Sequence, residues 1–276
     1  CILMMAVVGL SLLYFRERNL PPNLIFLDVG QGDATLINFP KRDFQFLIDG
    51  GPGRKIMSEL DKEMPFFDDK IEFVLLTHYH QDHLEGLIAV LEKYRIECLI
   101  LPYLKSGPSL SLERIFWERV AEKKDLKIIL ARSGQVMTFF DAVEVENKFL
   151  ELKVLAPILD YSVDKIIDAN DESVVIKIIL PKEILLMGDA TMRTERTLIR
   201  KKPKEIKAEI LKVGHHGSRF SSGEEFLTMV NPKRAVISVG QKNMYGHPTK
   251  QTLERMKNRS IEIERTDLLG TIKLRL

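Results

Sequence analysis

Apolar residues follow two rhythms along this chain of 276 residues. Short unbroken runs recur at residues 73–77 (FVLLT), 183–187 (EILLM), 210–213 (ILKV) and 235–239 (AVISV). Runs of this length, rich in strand formers, predict strands buried on both faces. Other stretches repeat every three or four positions. Leu84, Leu87, Ile88, Leu91 and Tyr94 predict a helix after Gln81; residues 112–124 and 192–199 predict two more, and residues 253–257 a weaker one. Many short strands with few helices predict two sheets packed face to face with helices outside. Residues 106–109 (SGPS) and 158–170 read as loops, and no repeat or low-complexity segment interrupts the pattern.

The first fifteen residues differ from the rest. They are almost wholly apolar and end at Arg16-Glu17-Arg18, followed by Asn19-Leu20-Pro21-Pro22. A bilayer span needs about 20 residues, so this run is short of one. A basic start and a small-residue cleavage site, which would mark a secretory signal, are both missing. Residues 1–22 are expected to be the end of a transmembrane helix plus a linker, cut from a longer membrane protein. Residues 23–276 are expected to form the globular domain.

Composition adds two points. A 45% hydrophobic, 29% charged chain can bury one large core. The net charge of +2 hides an asymmetry: residues 190–276 carry nineteen Lys and Arg against nine Asp and Glu, a balance of +10 that leaves −8 on the remainder. Basic clusters at Arg200-Lys201-Lys202-x-Lys204, Lys233-Arg234 and Arg255-x-Lys257-x-Arg259 suit a polyanion such as DNA. No RNA-binding motif or series of stacking aromatics accompanies them. Cys1 and Cys98, far apart, make no disulfide framework.

The chemistry lies in the histidines. All six fall in three motifs: His78-x-His80-x-Asp82-His83, Gly214-His215-His216-Gly217-Ser218 and Tyr245-Gly246-His247-Pro248. The first motif sits on a strand-to-helix turn. In extended chain, residues two apart point the same way, so His78 and His80 suit one ion, while Asp82 and His83 are displaced towards a second. Imidazoles with a carboxylate favour Zn²⁺ and admit Mn²⁺. The plainer reading of Asp82 is a helix capping box with Glu85, which leaves the histidines unexplained. Asp189 follows a buried strand and is placed to bridge two ions; its plainer reading is a helix N-cap. Of His215 and His216, one can complete the second ion and the other can meet a phosphate.

These residues resemble the metallo-β-lactamase superfamily of two-metal hydrolases. The segments FLDVGQGDA (26–34), IDGG (48–51), LKVGHHGS (211–218) and YGHP (245–248) are similar to the metallo-β-lactamase-like domain of the competence DNA-uptake channel family, ComEC. The similarity runs from about Asn23 to the C-terminus. It implies an α/β, αββα four-layer sandwich, two divalent ions, Mn²⁺ or Zn²⁺, and a role beside a membrane pore. The superfamily usually supplies a further histidine before Gly188-Asp189. Here Asn170 stands in that region, a neutral oxygen donor that shifts preference towards Mn²⁺.

The expected function is therefore a two-metal DNA nuclease of natural transformation. His78, His80 and Asp189 are expected to hold one ion, and Asp82, His83, Asp189 and His215 the other. Two ions about 3.5–4 Å apart polarise a phosphodiester and activate water. His216, Ser218 and His247 are expected at the scissile phosphate, with Asp82, Asp189, His216 and His247 carrying the chemistry. Asp33, Asp49 and Asn170 are expected to support the ligands from behind. Expected partners are DNA and the channel portion of the same longer protein, with the domain tethered on the extracytoplasmic side of the cell membrane. Two other readings share parts of this sequence: a small-molecule metallo-hydrolase (lactonase, lactamase or phosphorylcholine esterase), and a non-catalytic DNA-binding domain of the channel.

Overall fold

Strands whose side chains are apolar on both faces must be covered twice, and this requirement organises the molecule. In the computed structural model, which describes Met4, Gly9 and residues 20–65, 68–103, 111–139, 150–158 and 169–276, fourteen strands form two seven-stranded sheets. The loop at 106–109, most of 158–170 and almost all of the expected membrane segment lie outside the described residues.

The first sheet contains β1 (Asn23–Phe26), β2 (Thr35–Phe39), β3 (Phe44–Ile48), β4 (Lys70–Leu75), β5 (Arg95–Pro102) and β6 (Lys127–Ala131) in chain order. The last strand, β14 (Ile272–Arg275), returns to pair antiparallel with β1. The second sheet contains β7 (Val136–Phe139), β8 (Leu150–Ala156), β9 (Val175–Ile179), β10 (Glu183–Leu186), β11 (Ile210–Lys212), β12 (Arg234–Ile237) and β13 (Glu262–Arg265). Strands β3 to β6 are mutually parallel, as are β10 to β13.

Period-two alternation assigns each side chain to a layer. Phe46 and Ile48 of β3 and Ile184 and Leu186 of β10 meet between the sheets. Leu47 faces outward onto Ile56 and Leu60 of α1 (Lys55–Glu63), Leu84, Leu87 and Leu91 of α2 (Gln81–Lys93) and Phe116 of α3 (Ser111–Ala121). Leu185 faces the other way, with Leu198 of α4 (Met192–Lys201), Phe226 of α5 (Glu224–Val230) and Met256 of α6 (Lys250–Lys257). A short α7 (Thr266–Leu269) precedes β14. The result is the expected αββα sandwich. Phe139 of the second sheet locks onto the first edge-to-face, 4.8 Å from the Phe73 ring.

The helical patterns at 84–94, 112–124, 192–199 and 253–257 correspond to α2, α3, α4 and α6. The capping-box reading of Asp82 does not hold. Helix α2 starts at Gln81 behind His80, with no side-chain cap. Glu85 instead accepts from the Gly53 amide at 2.9 Å. The N-cap reading of Asp189 fails likewise, because Thr191 caps α4 through Arg193 N–H.

Helix α2 carries half of the first histidine motif, and a glycine pair fixes its height over the sheet. A Cβ on Gly86 would lie 1.9 Å from the Gly50 carbonyl oxygen, far inside any real contact. Alanine normally gains about 1 kcal/mol over glycine within a helix. Here the clash wins, and Gly86→Ala is expected to destabilise the fold by about 1–3 kcal/mol. An unchanged denaturant midpoint would show that the helix is free to move.

Candidate metal centre

The parallel strands deliver their following loops to the same edge of the sandwich. The loop after β4 carries His78, His80, Asp82 and His83; the loop after β10 carries Asp189; the loop after β11 carries His215 and His216. Strand ends at one edge of a parallel sheet are where α/β folds collect functional groups.

Each loop is pinned from beneath. Asp49, just after β3, adopts a left-handed conformation (φ 59°), which aspartate tolerates better than most residues. Its carboxylate accepts from Thr77 N–H at 2.7 Å and from the Thr77 hydroxyl at 2.8 Å. The same carboxylate meets His83 Nδ1 at 2.8 Å. Thr77 Oγ1 lies 3.1 Å from His78 Nδ1. Both rings are therefore held by Nδ1, leaving Nε2 for the centre. Gly32 permits the next contact: a Cβ there would sit 2.2 Å from the Asp82 carbonyl oxygen, and the neighbouring Asp33 N–H donates to that oxygen at 3.1 Å.

The turn after β11 carries unusual strain. His215 and His216 are both left-handed, with φ 48° and 51°. Such conformations cost side-chain-bearing residues about 1–3 kcal/mol each and cluster at functional sites. The twist separates the pair. His216 turns inward, its Nδ1 bonding to the Ser238 carbonyl at 2.9 Å and facing Asp33 Oδ1 at 3.3 Å. His215 stays a quarter exposed and packs beside His247, their ring centres 5.6 Å apart.

Two donor sets meet at Asp189, with ligand atoms inside 4.8 Å of one another: Asp82, His83, Asp189 and His216; and His78, His80 and Asp189. Asp189 belongs to both and divides its oxygens between them. Its Oδ1 lies 3.3 Å from His83 Nε2 and 3.5 Å from His216 Nε2. Its Oδ2 lies 3.9 Å from His78 Nε2 and 4.0 Å from His215 Nε2. His216 Nε2 is also 3.2 Å from Asp82 Oδ2. Among the described residues, no hydrogen-bond partner reaches the buried His78 Nε2, His83 Nε2 or Asp189 Oδ1. Buried donors of this kind are costly unless a cation takes them up, and imidazole with carboxylate suits a divalent metal.

Electrostatics agree. Burial opposes charge on Asp189, yet His216, His83 and His78 hold its carboxyl well below the usual range. Burial also opposes charge on His216, but Asp189 and Asp33 push its pKa up to about 10. Asp189 and Asp49 likewise outweigh burial at His83 and raise it well above the ordinary value. At His78 burial prevails, reinforced by His83, and the ring is held well below it. The centre attracts positive charge, for which protons and metal compete.

The sequence reading assigns His215 to the second ion and His216 to the phosphate. The geometry gathers His216 with Asp82 and His83 and leaves His215 towards the mouth. His247 is half-buried at that mouth, its pKa lowered to about 4 by burial and then by His215. Ser218 is buried, and its hydroxyl accepts from Phe220 N–H at 3.3 Å. Asn170 is buried in a short turn; its backbone carbonyl accepts from Ser173 N–H at 3.1 Å, and Ser173 Oγ accepts from Asp189 N–H at 3.1 Å. Asp33 and Asp49 stand behind the ligands.

Sequence reasoning missed Lys212. Its ammonium group bonds to Asp33 and, at 3.2 Å, to the Val213 carbonyl. A lysine inside a buried apolar strand was the available signal, since such a lysine needs a partner.

Residues 27–131 match the metallo-beta-lactamase superfamily. Over 269 residues, 90% of this chain, the sequence is 30% identical to ComE operon protein 3 of Bacillus subtilis (strain 168), of which it covers 32%. It is 27% identical over 271 residues to Recombination protein 2 of Haemophilus influenzae, covering 96% of this chain and 30% of that protein. The chain thus spans about a third of the length of these curated relatives. Zn(2+)-bound PqqB from Methylobacterium extorquens shares the fold, with a TM-score of 0.55 at 15% identity over 89% of this chain and 88% of that one. The αββα sandwich and these matches agree: the chain has the metallo-β-lactamase fold, and its sequence is similar to competence proteins of the ComEC family.

Proposed function

We propose that this domain is a two-metal phosphodiesterase that cleaves DNA during uptake across the cell membrane. The observation that carries the reading is the division of Asp189 between two donor sets. His78, His80 and Asp189 would hold one ion; Asp82, His83, Asp189 and His216 would hold the other. Divalent ions bound there supply Lewis-acid polarisation of a phosphoryl oxygen and a water of lowered pKa. The residues of the chain do the rest. Asp49 and Asp33 orient His83 and His216. His215 and His247, at the mouth, are placed to bind the phosphate or donate to the leaving oxygen.

The competence relatives support DNA as substrate, and so does the basic C-terminal third. Metal content and cleavage of labelled duplex and single-stranded DNA with Mn²⁺, Mg²⁺ or Zn²⁺ in turn test the reading. Hydrolysis of a lactam or lactone without any cleavage of DNA would replace it with a small-molecule hydrolase. Binding of DNA without hydrolysis under any of these ions would leave a recognition domain.

Salt dependence tests the basic face separately. Lys201 and Lys204 are exposed at the end of α4, while Lys202 is half-buried and pairs with Glu205 at 3.3 Å. Each phosphate contact contributes about 0.9 to the slope of log affinity against log salt. Replacing all three lysines by glutamine is expected to reduce that slope by about two, mainly through Lys201 and Lys204. An unchanged slope would move the DNA to another face.

Among the described residues no helix is long and apolar enough to cross a membrane. We place the domain on the extracytoplasmic side, tethered to the channel portion of a longer protein. Protease accessibility on intact protoplasts tests this; a domain protected until lysis would reverse it.

A further inference from the structure

Among the described residues large apolar side chains are exposed at several places, and two of these are loops beside the candidate metal centre. Tyr245 is 65% exposed and Met244 91%, on the loop after β12; Phe220 is 57% exposed on the loop after His216. The two loops touch, since Thr249 N–H donates to the Gly217 carbonyl at 3.0 Å. Neither residues 214–220 nor residues 240–250 contain a carboxylate, and Arg219, Lys242 and Lys250 are exposed along them. The rim therefore offers apolar faces among cations, a combination that matches a charged strand carrying aromatic bases.

Tyr245 has the most defined position. Its ring stacks at a tilt beside that of His247, with centroids 5.9 Å apart and planes at 27°. His247 in turn meets His215 at 5.6 Å, and His215 Nε2 is 4.0 Å from Asp189. Asn243 ties the loop shut by donating to the His247 carbonyl at 2.7 Å and accepting from His247 N–H at 2.9 Å. One side of the ring is thus flanked by the imidazole of His247, whose backbone Asn243 fixes, and most of the residue is open to solvent.

We propose that Tyr245, backed by His247, is a stacking platform for the base next to the scissile phosphate, so that the centre takes DNA as a single strand. A base inside a duplex already has both faces covered; an unpaired base has a face to give to tyrosine. The inference rests on the reading of this centre as a DNA phosphodiesterase.

The test uses the full chain, Mn²⁺ and short single-stranded oligonucleotides carrying one abasic nucleotide at successive positions. Tyr245→Leu is expected to raise KM for the intact strand at least about tenfold, the usual scale of losing one stacked base. Tyr245→Phe is expected to retain the wild-type KM, because the ring face is kept. One abasic position should produce the same loss in wild type, and the two losses should not add. Additive losses at every position, or an unaltered KM for Tyr245→Leu, would overturn the platform while leaving the nuclease standing. Failure of the wild type to cleave any strand removes the nuclease reading and the platform with it.

Discussion

Asp189→Asn is expected to strip the centre of both ions and to lower phosphodiester hydrolysis by a thousandfold or more. The scale follows from losing several kcal/mol of charge stabilisation, about tenfold in rate for each 1.4 kcal/mol. The reason is geometric: Oδ1 serves the set with His83 and His216, and Oδ2 the set with His78. One substitution therefore damages two sites, whereas His80→Ala and Asp82→Ala should each remove one ion. The fold should survive, because the Asp189 backbone amide keeps its bond to Ser173. A readout independent of activity is available in metal-free protein. Asp189 is the largest of the charges that raise His83 and His216 against burial, so removing it must lower both pKa values. Elemental analysis giving equal metal in wild type and Asp189→Asn would end the shared-ligand model.

The second large effect is expected at Lys212, which takes no part in binding an ion. Its ammonium group and the Asp33 carboxylate form a buried pair that joins β11 of one sheet to the loop after β1 of the other. Burial opposes the charge on Asp33, and Lys212 leads the groups that overcome it. Lys212→Met leaves that carboxylate buried without its main counter-charge, a change that typically costs about 3–5 kcal/mol. Asp33 also faces His216 Nδ1 at 3.3 Å, so affinity for the second ion should fall about 10–100-fold, the usual cost of disturbing a group behind a metal ligand. Replacing both partners, Lys212→Met with Asp33→Leu, removes the orphaned charge. Stability should then recover in good part while metal affinity stays weak. A single variant with wild-type denaturation midpoint and wild-type metal affinity would contradict this account.

Local sequence was enough wherever the chemistry is local. Residues 78–83 place four candidate ligands on one turn, and the strand before them and helix after them follow from apolar spacing alone. The unbroken apolar runs at residues 73–77 and 183–187 likewise foretold layers, because a strand apolar on both faces must be covered on both. The competence resemblance was legible in the same way, in contiguous segments.

Other features depend on groups that meet only in the folded chain. Whether His215 or His216 turns inward is decided by two consecutive left-handed residues, a backbone choice that two identical side chains cannot reveal. The capping-box alternative for Asp82 falls only in the folded chain, where His216, 134 positions away, stands against its carboxylate. Lys212 lacks meaning until Asp33, 179 positions away, supplies the counter-charge that makes burial of an ammonium group tolerable. The aromatic rim at Tyr245 is not a run in the sequence; it arises where two loops from the same sheet edge meet. The sequence by itself determined the layers and the ligand types, since hydrophobic period and side-chain chemistry are local properties. The tertiary structure decided which ligands share an ion and what neutralises them, since distance and burial belong to the folded chain as a whole.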